Sequence, residues 1–182
     1  MTKPVPGIIR LVTTLREHRE ALAKNERAYV EDLDRVRKTA VAHLRRCGFA
    51  RVTVDRCEPL IERFVEMIFA TQDRKPFFHV DGVLPYCWNA PKNWDKNFIR
   101  YEWGHLRSVN QNADADTLEN LCLQSARCNQ HVQTSMDIDE VVRWLEGSLV
   151  AARVRDVLAR RTVMFAGEEW GWLLEDLARY RR

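Results

Sequence analysis

Glycine and proline are scarce in this chain of 182 residues, at 7 and 6, which excludes collagen-like and low-complexity classes. No apolar run approaches the ~20 residues that a membrane span needs. The opening residues, Met1 to Gly7, carry no signal-peptide core, so the chain reads as soluble and cytoplasmic. No Cys-x-x-Cys pair and no internal repeat occurs. The cysteines are odd in number: Cys47, Cys57, Cys87, Cys122 and Cys128. Reduced thiols are expected from that pattern. A structural zinc on Cys87, Cys122, Cys128 and His79 is the alternative use, and the spacings do not point to it.

What is present suits one globular domain. Apolar residues make up 46% of the chain and charged residues 30%, enough to bury a sizeable core and too many to leave the chain disordered. The net charge of +3 permits nucleic-acid binding without demanding it. Clustering says more than the total. Arg45, Arg46 and Arg51 lie close together, as do Arg153, Arg155, Arg160 and Arg161, and the chain ends Arg179-Tyr-Arg-Arg182.

Three stretches follow one another. Residues 8 to 47 carry apolar positions near period 3.6 and predict a long helix or helical hairpin closed by Gly48. Packing arm, dimer surface and DNA clamp all fit it. In the second stretch, Arg51–Asp55 alternates like a short strand. Glu58–Thr71 reads as a helix with Pro59 in its first turn. Phe77–Val80 is β-prone, Asp81-Gly82 is a turn signal, and 83–97 is irregular. Phe98–Trp103 is the clearest strand. Asn110–Thr117 is a polar loop, Leu118–Leu123 is extended, and a helix starts at about Ser125. In the third stretch, Asp137 caps a helix through Leu145, closed by Gly147, and 148–165 and 168–180 form two amphipathic helices. Trp170 and Trp172 read as core or interface. The fold class is α+β: a mainly helical single domain, with 1–48 as an N-terminal helical arm and 49–182 as the remainder.

The chemistry concentrates in the second stretch. His105 closes the strand in Tyr101-Glu-Trp-Gly-His105, Asn120 follows with Leu121 behind it, and Asn129 follows Cys128 in the expected helix. This order resembles the ββα-metal finger of the HNH, or His-Me finger, endonucleases, over about 98–135. The family motif often has two structural cysteines; Ser125 stands at the first of these positions and Cys128 at the second. The resemblance implies a metal-dependent hydrolase of phosphodiester bonds. It makes His105 the general base that takes a proton from water, a role suited to a pKa near working pH. It makes Asn120 the residue that holds the loop and fixes the histidine ring, and Asn129 the metal ligand, in an HNN variant.

In many members the residue before the base is a second ligand; here it is Gly104. Glu102-Trp-Gly-His105 looks like the Asp-Arg-Gly-His version, in which one asparagine, waters and phosphate hold the metal. Glu102 is then a further candidate, although strand alternation puts it on the face opposite His105. Mg²⁺ keeps several waters and suits so few protein ligands. His131 is a possible extra ligand that favours Mn²⁺, Ni²⁺ or Zn²⁺. Arg107, Arg100 and Arg127 are candidates for phosphate or base contacts. His18 and His43 are expected to be solvated and His79 structural.

The implied partner is double-stranded DNA, cut in a restriction-type, phage or mobile-element setting, with a homodimer able to cut both strands. Two other readings stand beside it: a helical binding module without chemistry, and a ribonuclease using the same finger.

Overall fold

A computed structural model describes residues 35–80, 101–109, 112, 114–125, 128, 129, 133 and 136–181, with backbone alone at 9–11 and 83–85. The described chain is mixed helix and strand, and mostly helical. In chain order it comprises β1 (Ile9–Leu11), α1 (residues 35–46), α2 (Val54–Thr71), β2 (Val83–Pro85), β3 (Tyr101–His105), β4 (Leu121–Ser125), α3 (Ile138–Trp144), α4 (Leu149–Phe165) and α5 (Glu168–Ala178). β1 pairs antiparallel with β2, and β3 with β4. No described helix is long and apolar enough to cross a membrane.

The β3–β4 hairpin sits between two cores. Its register sets Trp103 opposite Leu123 and His105 opposite Leu121, so Tyr101, Trp103, His105, Leu121 and Leu123 share one face. Tyr101, Trp103, Leu121 and Leu123 join the first core with Val36, Ala40, Val41 and Leu44 of α1, Phe64 and Phe69 of α2, and Trp170, Leu173 and Leu177 of α5. Phe64 stacks on Trp103 at 5.4 Å between ring centroids, and Phe69 meets Tyr101 edge-on at 5.2 Å. The opposite face carries Glu102, Gly104, Cys122 and Gln124. There Cys122 enters a second core with Phe77, Phe78, Leu106, Val141, Val150 and Val154. All five residues of β4 are buried.

A two-stranded sheet has two open edges, and unpaired buried backbone groups are costly. Side chains close them here. On β4, the carboxamide of the fully buried Gln72 donates to the Leu123 carbonyl (2.8 Å) and accepts from the Leu123 N–H (3.0 Å). The buried Arg161 donates to the carbonyls of Leu121 (2.6 Å) and Glu119 (2.9 Å). Burial lowers its guanidinium to about 10, still charged at neutral pH. On β3, Arg35 donates to the Tyr101 carbonyl.

The cap-based expectations stand in the structure. Gly48, at φ +95°, ends α1 with two reverse bonds, Phe49 N–H to the Leu44 carbonyl (3.0 Å) and Gly48 N–H to the Arg45 carbonyl (3.1 Å), the Schellman pattern that favours glycine at this position. Asp137 N-caps α3, with its N–H donating to Glu140 (2.9 Å). α4 and α5 match the two C-terminal helices closely.

Other expectations are corrected. The helix foreseen from residue 8 gives way at 9–11 to a strand, since pairing with 83–85 satisfies its backbone; 83–85 is correspondingly not irregular. Residues 12–34 lie outside the described residues. Helix α1 is part of the first core. Arg51–Asp55 is not a strand. Val52 is buried beneath a turn, the Arg51 N–H goes to the Tyr180 carbonyl (3.0 Å), and α2 begins at Val54 with a kink at Cys57 before Pro59. Phe77 and Phe78 sit in a turn, with only Val80 in bridge geometry. β3 runs on to His105, while 81–82, 86–97 and 98–100 lie outside the described residues. Leu118–Asn120 is a short 3₁₀ turn, and Ser125 ends β4 and does not open a helix.

Replacing Gln72 by leucine keeps its bulk and removes both partners of Leu123. Phe77 N–H still reaches the Leu123 carbonyl (2.9 Å), so the Leu123 N–H is orphaned, and the Lys75 carbonyl loses the Gln72 donor it has at 3.0 Å. The expected loss is about 1–3 kcal/mol, read as a lower urea midpoint at unchanged slope.

Candidate functional site

The end of β3 is held by one asparagine. Asn120 is 6% exposed, and its carboxamide is saturated. Oδ1 accepts the Arg107 N–H at 2.7 Å, and Nδ2 donates to the carbonyls of Arg107 (2.9 Å) and Ala115 (2.8 Å). The side chain thus continues the β-ladder two residues beyond His105 and fixes the polar loop against it. The Asn120 carbonyl accepts the Leu106 N–H at 2.8 Å. Asp137, the cap of α3, accepts the Ser108 N–H at 2.5 Å, tying the same loop to the following helix.

After β4 the backbone is helical at Cys128 and, with wider π-type winding, at Asn129 and Gln133. Asn129 lies over Gly104. A Cβ built on Gly104 would stand 3.1 Å from Asn129 Oδ1 and 2.8 Å from Gln124 Cδ, so a side chain at 104 would push the Gln124 carboxamide aside and press on that of Asn129. Asn129 Nδ2 donates to Glu102 Oε2 at 3.3 Å. Gln133 binds this segment to the strand: it donates to the His105 carbonyl and accepts from Gln124 Nε2. Gln124 and Gln133 are both buried.

His105 occupies the other face of β3. Its ring stands 5.6 Å from that of His43 on α1, and His43 stands 5.8 Å from Trp103. The Nε2 of His105 and the Nδ1 of His43 are buried without a hydrogen-bond partner among the described residues. Burial lowers both imidazoles. For His43 the neighbouring His105 and the Arg46 guanidinium add to this against Asp116, bringing it to about 4. For His105 the Arg46 charge adds to burial, with Asp116 again opposing. Arg46 and Asp116 form an ion pair at 2.9 Å. Both rings are therefore neutral at neutral pH, the form in which an imidazole accepts a proton.

Of the residues singled out in the sequence, the structure brings Glu102 and Asn129 together, places Asn120 beneath the loop, and sets His105 on the opposite face from Asn129. Arg107 is exposed and held by Asn112 (3.1 Å) and Asp114 (3.2 Å). Arg100, Arg127 and His131 lie outside the described residues. His43 is corrected: it is partly buried against Trp103 and His105, since α1 packs on β3. Its place on a charged helix gave no sign of this. Gln133 was also missed, although its spacing of four from Asn129 is a helical repeat. His79 is buried as expected.

The candidate donors on this face of β3 are the Asn129 carboxamide oxygen, over Gly104, and the Glu102 carboxylate bonded to Asn129 Nδ2. Both are hard oxygens, which fit Mg²⁺ completed by water. Among the described residues no group of three His, Cys, Asp or Glu side chains is gathered to hold a metal. Cys122 is a free thiol pushed up to about 11 by burial, and Cys87 lies outside the described residues. Comparisons with protein-family models, with curated proteins and with solved structures return no match.

The histidine pair makes stability depend on pH. Both groups have folded-state values below the unfolded value of 6.5, so the unfolded chain binds more protons in that window. Stability is expected to be unaffected by the pair above pH 6.5 and to fall as pH drops from 6.5 towards 4. His43→Phe should flatten that fall in urea melts run across the window. An unchanged slope would show that His43 titrates as it does in the unfolded chain.

Proposed function

We propose that this chain is a metal-dependent nuclease of the His-Me finger kind, hydrolysing DNA phosphodiester bonds at the end of β3. The observation that carries the reading is the saturated carboxamide of Asn120, locked on Arg107 two residues past His105. That is the work the resemblance gives to the middle asparagine. The order hairpin then helical backbone, with Asn129 over Gly104, supports it further.

Each residue then has a physical task. His105, kept neutral by burial and by Arg46, accepts the proton of the attacking water. The carboxamides of Gln124 and Asn129 pack against Gly104 where a side chain would stand. For His105 and the ion to act on one bond, a phosphate at the end of β3 has to contact both faces of the strand. Asn129 Oδ1 and the Glu102 carboxylate would hold the divalent ion, Mg²⁺ by their chemistry. When bound, such an ion stabilises charge on the scissile phosphate and the leaving oxygen. Arg107 is exposed, and its surface pair with Asp114 is weak enough to exchange for phosphate. One such centre cuts one strand, and a homodimer would cut both.

A second reading is favoured by one observation. His105 and Asn129 sit on opposite faces of β3, and His105 Nε2 is buried. That arrangement suits a nucleic-acid-binding module without chemistry.

Supercoiled plasmid, incubated with purified protein in EDTA, Mg²⁺, Mn²⁺ and Ni²⁺, separates the two. The nuclease reading expects cleavage in metal alone and a loss of about 10²–10⁴-fold in His105→Ala, with a comparable loss in Asn129→Ala, both variants giving the wild-type circular dichroism spectrum. Discrete bands mean sequence specificity, and linear product without a nicked intermediate means paired centres. Intact plasmid in every lane, with a structured RNA cut instead, would move the substrate to RNA. If both survive, the binding module stands.

A further inference from the structure

We propose that the turn at 48–52, together with the end of α1 and the C-terminal residues 180–181, is a docking surface for the phosphate backbone of double-stranded DNA, gripped by Arg45, Arg51 and Arg181. The choice of DNA as the polyanion rests on the nuclease reading; the surface itself does not.

The three arginines come from three separate segments that the fold brings together through three contacts. Arg51 N–H bonds the Tyr180 carbonyl at 3.0 Å. Arg45 Nε bonds the Val52 carbonyl at 2.9 Å. The Arg181 guanidinium lies over the Phe49 ring at 5.4 Å. All three residues are exposed, and none pairs with a carboxylate among the described residues. Elsewhere on this surface arginines are usually matched: Arg46 by Asp116, Arg107 by Asp114, Arg155 by Glu146, and Arg153 and Arg160 by Asp73.

The negative end of α1 attracts a cation, which accounts for Arg45. It does not account for Arg51 and Arg181, which lie beyond the helix. Three guanidinium groups without an ion-pair partner raise the local positive potential, and a phosphate backbone neutralises it. Guanidinium forks match phosphate oxygens in pairs; the Arg45 bond uses Nε alone, and the Arg181 contact with Phe49 is through the face of its guanidinium. The surface is continuous with the candidate site through α1, whose last turns carry His43 beside His105 and Arg46 beside Arg45.

Fluorescence anisotropy with a short labelled duplex, in EDTA so that nothing is cleaved, tests this. The Arg45→Gln, Arg51→Gln, Arg181→Gln triple variant should bind at least about tenfold more weakly, and its slope of log K against log salt should be shallower by about 2–3, near 0.9 per lost contact. The corresponding triple lysine variant should bind within a fewfold of wild type, and Arg143→Gln, an exposed arginine on α3, should bind as wild type. The proposal is overturned if the glutamine triple binds as wild type, if Arg143→Gln loses as much, if the lysine triple fails despite a wild-type thermal melt, or if only a hairpin RNA is bound. Duplex binding in EDTA by a chain that cuts neither plasmid nor structured RNA would sink the nuclease reading and leave this surface standing.

Discussion

A hairpin of two five-residue strands buried on both faces is the constraint on which the rest of the molecule depends. Such a hairpin has no solvent to satisfy its outer backbone groups, and two strands alone are marginal in water. The chain solves both problems with helices. α1, α2 and α5 cover the Trp103 face, and α3 and α4 close a second core beyond Cys122. Gln72, Arg161 and Arg35 bond the exposed edges as further strands would. An arginine in that role keeps its charge at neutral pH, because carbonyl oxygens and the face of Phe165, 4.9 Å away, replace its water.

The same constraint sorts the candidate residues. Strand alternation sends His105 towards α1 and its neighbours Glu102 and Gly104 towards Asn129. On the first side the surroundings are aromatic and cationic, and two imidazoles are kept uncharged. On the second they are amides and one carboxylate. The two environments differ as a proton acceptor's site differs from a cation's, and the Gln124 and Asn129 carboxamides fill the place a side chain at 104 would take. Whether one phosphate bridges the two environments decides between chemistry and binding alone.

The sequence made the locally determined parts readable. α3 follows from Asp137 and Glu140, the end of α1 from Gly48, and α4 and α5 from their apolar repeat, since each signal lies within a turn of the element it sets. The end of β3 was readable for a different reason: aromatic residues alternate up to His105. What failed depends on distant partners. Arg51–Asp55 alternates, but its N–H at Arg51 is claimed by Tyr180, and no local pattern reveals that. Ile9–Leu11 continues a helical repeat until its pairing with Val83–Pro85 is known. The asparagines at 120 and 129 were legible through a motif, whereas His43 and Gln133, which touch the same strand, carry no motif and became visible only through packing.

The first core draws Val36 from one end of the described chain and Leu177 from the other. On a ribosome, synthesis proceeds at roughly 5–20 residues per second, and α1, the hairpin and α2 all emerge before α5 exists. Until Trp170, Leu173 and Leu177 have left the exit tunnel, Phe64, Trp103 and Leu44 lack their cover. The nascent chain therefore carries an open apolar surface until α5 has emerged, a natural stopping place for a chaperone, and any truncation before α5 makes that state permanent.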